Sequence, residues 1–450
     1  MKKKIMYLLI CSCIMSSFTG CGNSYQKQND SSNNADEVLV VPEMKNVQSK
    51  PESFNAGATV YADEKSPSGY MVHFAYKSDD ENVESISVAG PFLYINPDLD
   101  ITDESNCYTP YEYQNGFYAT TVAPGSTTIT YTEEMQLNKD TGMYEVEFPI
   151  TSGAFAYNYI LSYKDGTDDI QIDDPANPSP AKENTNSDIE TGDVIHSIVY
   201  GAYDDNKQSE SLNLDYLLPA KNNKGKVLYV EYEGNLSKKQ DLGIYLPANY
   251  DETREEPYKV IYLSHGGGGN ETDWFAMGHV DNILDNLGKD YIAVTMDNSS
   301  FEWDFEKIED NVLNYILPYM QENYNVSTEP KDRAFAGLSM GSMTTFHMYY
   351  DYPTEFGYFG GFSGPDLSAI KETEDIDSAV LYFTVGTCDM ASERIMPNPE
   401  GKQIKYENYV DYLKTSNKEN VIDGGYLYGA HDWFTWSQSF YHFVNEVAFE

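Results

Sequence analysis

Basic residues are scarce in this chain: its 450 residues carry 29 lysines and arginines against 72 aspartates and glutamates, a formal charge of −43. Such a surface repels phosphate backbones and anionic bilayers, which excludes nucleic acid as a partner and makes solubility outside a cell the plain meaning of the charge. Cysteine is limited to five residues. Cys11, Cys13 and Cys21 crowd the N-terminus, and Cys107 and Cys388 lie far apart, so no disulfide framework is implied. The seven histidines form no cluster and no H-E-x-x-H, so no metal and no cofactor are expected. Long apolar runs are missing too. The one near the start, Ile5 to Met15, is too short to span a bilayer stably.

That run follows Lys2, Lys3 and Lys4 and leads into Phe18-Thr19-Gly20-Cys21, the layout of a secretion signal. Cysteine after a small residue resembles the bacterial lipoprotein processing site, which would make Cys21 the lipidated residue. The expectation is a signal over residues 1–21 and export to the cell surface on a lipid anchor, with free secretion as the alternative. Residues 22–56, rich in Asn, Ser, Gln and Lys, read as a solvated tether.

Residues 57–205 show short alternating runs and no helical period. Gly69 to Tyr76, Val83 to Ala89, Gly142 to Phe148 and Phe155 to Ser162 read as strands, and Asp165-Gly166 as a hairpin turn. They predict a small all-β, immunoglobulin-like sandwich. The stretch "GMYEVEFPITSGAFAYNYILSYKDG" with the following "DDPANPSP" resembles early-set, glycogen-binding-type modules (carbohydrate-binding family forty-eight). A module of that kind either binds glycan or only packs on its neighbour. Residues 206–225 read as a linker, and 226–450 as a catalytic α/β domain holding every candidate catalytic group.

In that second domain an apolar run enters Gly337-Leu338-Ser339-Met340-Gly341 and an amphipathic run follows. This is strand, tight turn and helix, with a serine held out on the turn and its neighbour's N–H, that of Met340, facing the same space. Upstream, Tyr258 to Ser264 reads as a buried strand running into His265-Gly266-Gly267-Gly268-Gly269, where bare backbone can approach an oxyanion. Downstream, the strand Ala379 to Val385 ends near Asp389, and His431 follows a further strand just before the last helix. The order Ser339, Asp389, His431 is that of an α/β-hydrolase. Asp423 and Asp432 compete with Asp389 for the acid. His265 is read as a brace for the glycine loop, His347 and His442 as helix residues, and His73, His196 and His279 as lacking a suitable strand end.

The pieces "YKVIYLSHGGGGNETDWF", "DRAFAGLSMGSMTTF", "EFGYFGGFSG", "YFTVGTCDMASE" and "YGAHDWFTWSQSFYHF" together resemble the esterase D-type α/β-hydrolases, most closely the feruloyl esterases of carbohydrate esterase family one. The resemblance implies Ser339 as nucleophile, Asp389 as acid, His431 as base, and the Gly267 and Met340 amides as oxyanion hole. Ser342 and Ala430 stand where that family usually has glycine. The implied activity is hydrolysis of acyl esters, ferulate above all, on plant polysaccharide such as arabinoxylan or its feruloylated oligosaccharides. Trp274 and Trp433, beside the glycine loop and the histidine, are candidate stacking residues for sugar or phenol. The alternatives are an acetyl xylan esterase, an enterochelin-type siderophore esterase, and a glycan-binding lipoprotein without activity.

Overall fold

The computed structural model describes residues 49–98, 107–120, 130–178, 196–393 and 420–450, with short strand pieces at 122–123, 127–128, 396–397 and 403–404. The expected signal, Cys21 and most of the expected tether lie outside the described residues.

Two larger antiparallel sheets and a small three-stranded one (Cys107–Tyr108, Leu93–Ile95, Tyr118–Thr120) that joins the same core build the amino-terminal part. One larger sheet runs Gly57–Ala62, Tyr70–Tyr76, Met143–Ile150, Gln136–Asn138. The other runs Ile170–Ile172, Gly153–Tyr163, Val83–Gly90, Tyr131–Glu134, with Ser197–Gly201 also paired to Gly153–Tyr163. Alternate residues point inward, as period-two strands require. Phe74 and Phe148 from the first sheet meet Tyr157 and Phe155 from the second in one buried cluster, with Phe74 and Tyr157 rings 4.8 Å apart. The Asp165-Gly166 turn links Gly153–Tyr163 to Ile170–Ile172, and Gly166 has the positive φ, 74°, that such a turn uses.

An eight-stranded sheet forms the second part, its strands in chain order being β1 (Lys226–Tyr232), β2 (Gln240–Leu246), β3 (Lys259–Ser264), β4 (Tyr291–Met296), β5 (Arg333–Leu338), β6 (Tyr358–Phe362), β7 (Val380–Gly386) and β8 (Val421–Leu427). The spatial order is β1-β2-β4-β3-β5-β6-β7-β8. The β1–β2 and β2–β4 pairs are antiparallel and every other pair is parallel. Strands β3 to β7 are almost wholly buried, which explains their continuous apolar runs. Four helices matter below: α1 (Val280–Leu287), α2 (Phe305–Asn311), α3 (Met340–Asp351) and α4 (Trp433–His442). This is the α/β-hydrolase arrangement, and the parallel strands deliver their carboxyl ends to one edge, where ligands bind in open α/β sheets. Among the described residues no helix is long and apolar enough to cross a membrane.

The two parts share a core. Phe155 of the sandwich packs edge-on against Phe434 of α4 at 5.3 Å, within one continuous buried cluster. Within residues 206–225, expected as a linker, the stretch 214–220 is packed. Leu214, Leu217 and Leu218 are buried, Tyr216 stacks on Tyr441 at 3.9 Å, and Asn282 and Asn286 of α1 donate to the carbonyls of Leu217, Tyr216 and Leu218. Polar side chains of residues 206–225 bond to the amino-terminal part, Gln208 donating to the Ser68 and Ala202 carbonyls and Asp215 accepting from Tyr203 N–H and Ser152 Oγ, while four apolar residues anchor the stretch.

Candidate active site

Each candidate group stands at the end of a strand. β5 ends at Leu338, and Ser339 follows with φ 52° and ψ −116°, outside the regions a non-glycine residue prefers. The two flanking glycines are there for space. A Cβ on Gly337 would lie 2.3 Å from the Gly341 carbonyl oxygen, and one on Gly341 would lie 2.4 Å from the carbonyl oxygens of Ser264 and His265. No side chain fits either position, so the strand and α3 can cross closely enough to lift the serine out.

His431 approaches from the loop after β8, and its Nε2 is 2.8 Å from Ser339 Oγ. Its Nδ1 is 2.9 Å from Asp389 Oδ1, on the loop after β7. Asp389 is buried and also accepts the Ala391 N–H at 2.8 Å. The ring of Trp436 stands edge-on to the His431 ring at 5.1 Å, limiting its rotation. Serine and histidine are both partly exposed, so a substrate can reach them.

The rival acids are engaged elsewhere. Asp432 caps α4, accepting the Thr435 N–H at 3.2 Å, and Asp423 is exposed and accepts from Gly425. The structure therefore brings Ser339, His431 and Asp389 into one hydrogen-bonded chain.

Met340 opens α3, so its N–H has no partner within the helix. The glycine loop lies over it: a Cβ on Gly267 would sit 3.1 Å from Met340 Sδ, and one on Gly266 would sit 3.1 Å from Ser339 Cβ. His265 is buried beneath this loop. Its Nδ1–H donates to the Gly266 carbonyl at 2.6 Å and its Nε2 accepts the Asn298 N–H at 3.0 Å, so both ring nitrogens are used as a brace. Ser342 is fully buried against Gly361 with no hydrogen-bond partner for its hydroxyl among the described residues, and Ala430 is fully buried with its carbonyl accepting from Thr435.

One site expectation needs correction. Trp274 has no exposed surface and packs among Phe362, Trp433 and Phe440, so it is core and cannot stack on a substrate. Its position next to the glycine loop in sequence concealed that its helix turns inward. Trp433 is partly exposed and lies across both Trp274 and Trp436.

Sequence reasoning missed the residues that the amino-terminal part contributes. Tyr118, on the short strand Tyr118–Thr120, places its hydroxyl 2.5 Å from Cys388 Sγ and accepts from Thr387 Oγ1 at 3.2 Å. Thr120 Oγ1 reaches Asp432 Oδ2 at 3.5 Å. The acid turn and the histidine turn thus both rest on the amino-terminal part, and contacts across more than 250 residues of sequence leave no local signal.

Comparison with known proteins bears on the second part of the chain. Residues 234–446 match the Esterase family model, described as "Putative esterase". Over 217 residues the chain is 32% identical to an endo-1,4-beta-xylanase/feruloyl esterase of Xylanibacter ruminicola, a match covering 44% of this chain and 28% of that protein. It is 28% identical over 226 residues to endo-1,4-beta-xylanase Y of Acetivibrio thermocellus, covering 44% of this chain and 20% of that one. The chain thus spans about a quarter of the length of these curated relatives. Among solved structures, a ferulic acid esterase from Anaeromyces mucronatus in complex with ferulic acid aligns at TM-score 0.42 and 21% identity, over 52% of this chain and 93% of that one. The second part of the chain has the α/β-hydrolase arrangement, and its residues 234–446 are similar to the esterase family and to the feruloyl esterase relative.

Proposed function

We propose that this chain is a serine esterase that removes ferulate from plant cell-wall polysaccharide. The observation that carries the reading is the Ser339–His431–Asp389 chain, closed at 2.8 and 2.9 Å. His431 Nε2 takes the Ser339 proton as Oγ attacks the ester carbonyl, and Asp389 holds the ring and balances the imidazolium. The carbonyl oxygen, now negative, is met by the Met340 and Gly267 N–H groups. Collapse breaks the bond to the sugar oxygen, which leaves with the His431 proton. Water, deprotonated by His431, then attacks the acyl-serine and releases the free acid. Trp433 forms the aromatic wall for the acyl group.

The feruloyl preference is supported by the xylanase/feruloyl esterase relative and by the motif resemblance. We read Cys21 as the lipid-bearing residue of an exported protein. A single acyl-bearing residue on a tether anchors without touching the site, so Cys21→Ala should move the protein from membrane to soluble fractions with activity intact.

Side-by-side hydrolysis of methyl ferulate, p-nitrophenyl acetate and acetylated xylan tests the substrate class. A clear preference for methyl ferulate is expected. Preference for acetylated xylan would replace ferulate by acetate, and no hydrolysis of any ester would overturn the reading.

A further inference from the structure

Away from the serine, at the far end of α3, three metal-ligating side chains converge: the ligand atoms of Glu309, His347 and Asp351 all lie within 4.8 Å of one another. Glu309 comes from α2, and His347 and Asp351 from successive turns of α3. At spacing i, i+4 the last two share a helix face. Glu309 is 4% exposed, and its Oε1 has no hydrogen-bond partner among the described residues. A buried carboxylate oxygen left in that state is costly unless something positive reaches it.

The histidine ring is held by two neighbours. Its ring stacks on Phe305 at 4.2 Å, and its Nε2 lies 3.1 Å from Asp366 Oδ2. Asp366 is itself buried and fixed by the Ser368 hydroxyl and N–H. A carboxylate on one ring nitrogen fixes the tautomer and leaves a lone pair on the other, as the second shell of metal-bound histidines does. His347 and Asp351 are partly exposed, which provides a way in for an ion. The competing cation is Lys371, whose half-exposed ammonium pairs with Asp351.

We infer that Glu309, His347 and Asp351 bind a divalent transition-metal ion, with Zn²⁺ as the fitting chemistry for one imidazole and two carboxylates. Bound there, the ion ties α2 to α3. Ser339 stands at the N-cap position of α3 and lies eight residues before His347, about 12 Å along the axis, so the site is structural and the ion touches no substrate. It strengthens the helix on which the serine turn rests.

The full chain, dialysed against a chelator, is titrated with ZnCl₂ alone, while bound metal per chain and melting temperature are followed. One equivalent should bind and Tm should rise; Glu309→Gln should weaken binding at least tenfold and remove the rise. Asp351→Asn, at a more exposed position, serves if the first variant does not fold. Ester turnover far below Tm should be the same with and without Zn²⁺. No saturable binding, or equal binding by both variants and the parent, overturns the inference and leaves Lys371 as the neutralising cation. These readouts are independent of the esterase reading, which can fail without touching them.

Discussion

The Tyr118 hydroxyl lies 2.5 Å from Cys388 Sγ, joining the amino-terminal part to the residue next to Asp389. Burial pushes this hydroxyl far above its ordinary pKa, so it stays protonated and keeps a donor for the sulfur. With Thr387 on the same oxygen, Tyr118 fixes the turn that presents the acid. The amino-terminal part, through its small three-stranded sheet, is therefore part of the support of the active site.

Removing that hydroxyl should be felt in the chemistry. Tyr118→Phe keeps the ring against Tyr428 and loses only the contacts to Cys388 and Thr387. A hydrogen bond of about 0.5–1.5 kcal/mol corresponds to a drop in kcat of roughly two- to tenfold, with KM little changed. The pH profile of kcat/KM should shift as well, because the Asp389–His431 contact loosens. Parent kcat with an unmoved profile would show that the contact is packing alone.

A larger cut follows from the same seam. A fragment beginning at Lys226 loses Phe155 from Phe434, the Leu214 to Leu218 anchor from α1, and Tyr118 from the acid turn. It should expose apolar surface, bind a hydrophobic dye and hydrolyse p-nitrophenyl acetate far more slowly than the full chain. Full turnover by a well-folded fragment would show that the hydrolase domain stands alone, as the position of its catalytic groups in the sequence suggested.

Much of the site was legible because its signals are local. The glycines around Ser339 are dictated by carbonyl oxygens in contact with the turn, and the apolar runs of β3, β5 and β7 are dictated by burial on both faces. Ser339 and Asp389 follow such runs, whereas His431 follows the more exposed edge strand β8. Choosing Asp389 over Asp432 was harder, since a helix-capping aspartate and an orienting aspartate are the same residue type in similar loops. Trp274 and Tyr118 mark the limit. Whether an aromatic residue faces a cleft, a core or another domain depends on partners remote in sequence.

Stability should fall as pH rises from 6.5, the decline levelling off above about 7. Burial pushes the Glu271 carboxyl up to about 7 and that of Asp273 up to about 6, against about 4 in an unfolded chain. The folded state then holds more protons than the unfolded state between those values, so unfolding becomes easier as pH rises through the folded pKa. For Glu271 alone the loss from pH 6.5 to 8 is about 1 kcal/mol. His279, pushed down to about 3 by burial, acts in the opposite sense but only below its ordinary pKa near 6.5. Thermal melts of the parent and Glu271→Gln over pH 6.5–8 check this: the parent's Tm should decline with pH and the variant's should decline less. Parallel curves would remove Glu271 as the cause.

The three aspartates near the histidine give the most direct test of the proposed mechanism. Asp389→Asn keeps the shape of the buried turn but removes the charge beside His431 Nδ1, and its amide can favour the tautomer that leaves Nε2 unable to accept the serine proton. kcat should fall by about 10⁴-fold with KM nearly unchanged, and Ser339→Ala or His431→Ala should fall at least as far without adding to each other. Asp432→Ala should behave differently. It removes the cap on Thr435 N–H at the start of α4, so it should cost about 1 kcal/mol of stability and leave most of kcat in place. Asp423→Asn, at an exposed position, should change neither. Steady-state kinetics and melts on the set separate the roles. A kcat for Asp389→Asn within about tenfold of the parent would be too large for a triad lacking its acid, and a collapse of kcat in Asp432→Ala with the fold intact would transfer the role to that residue.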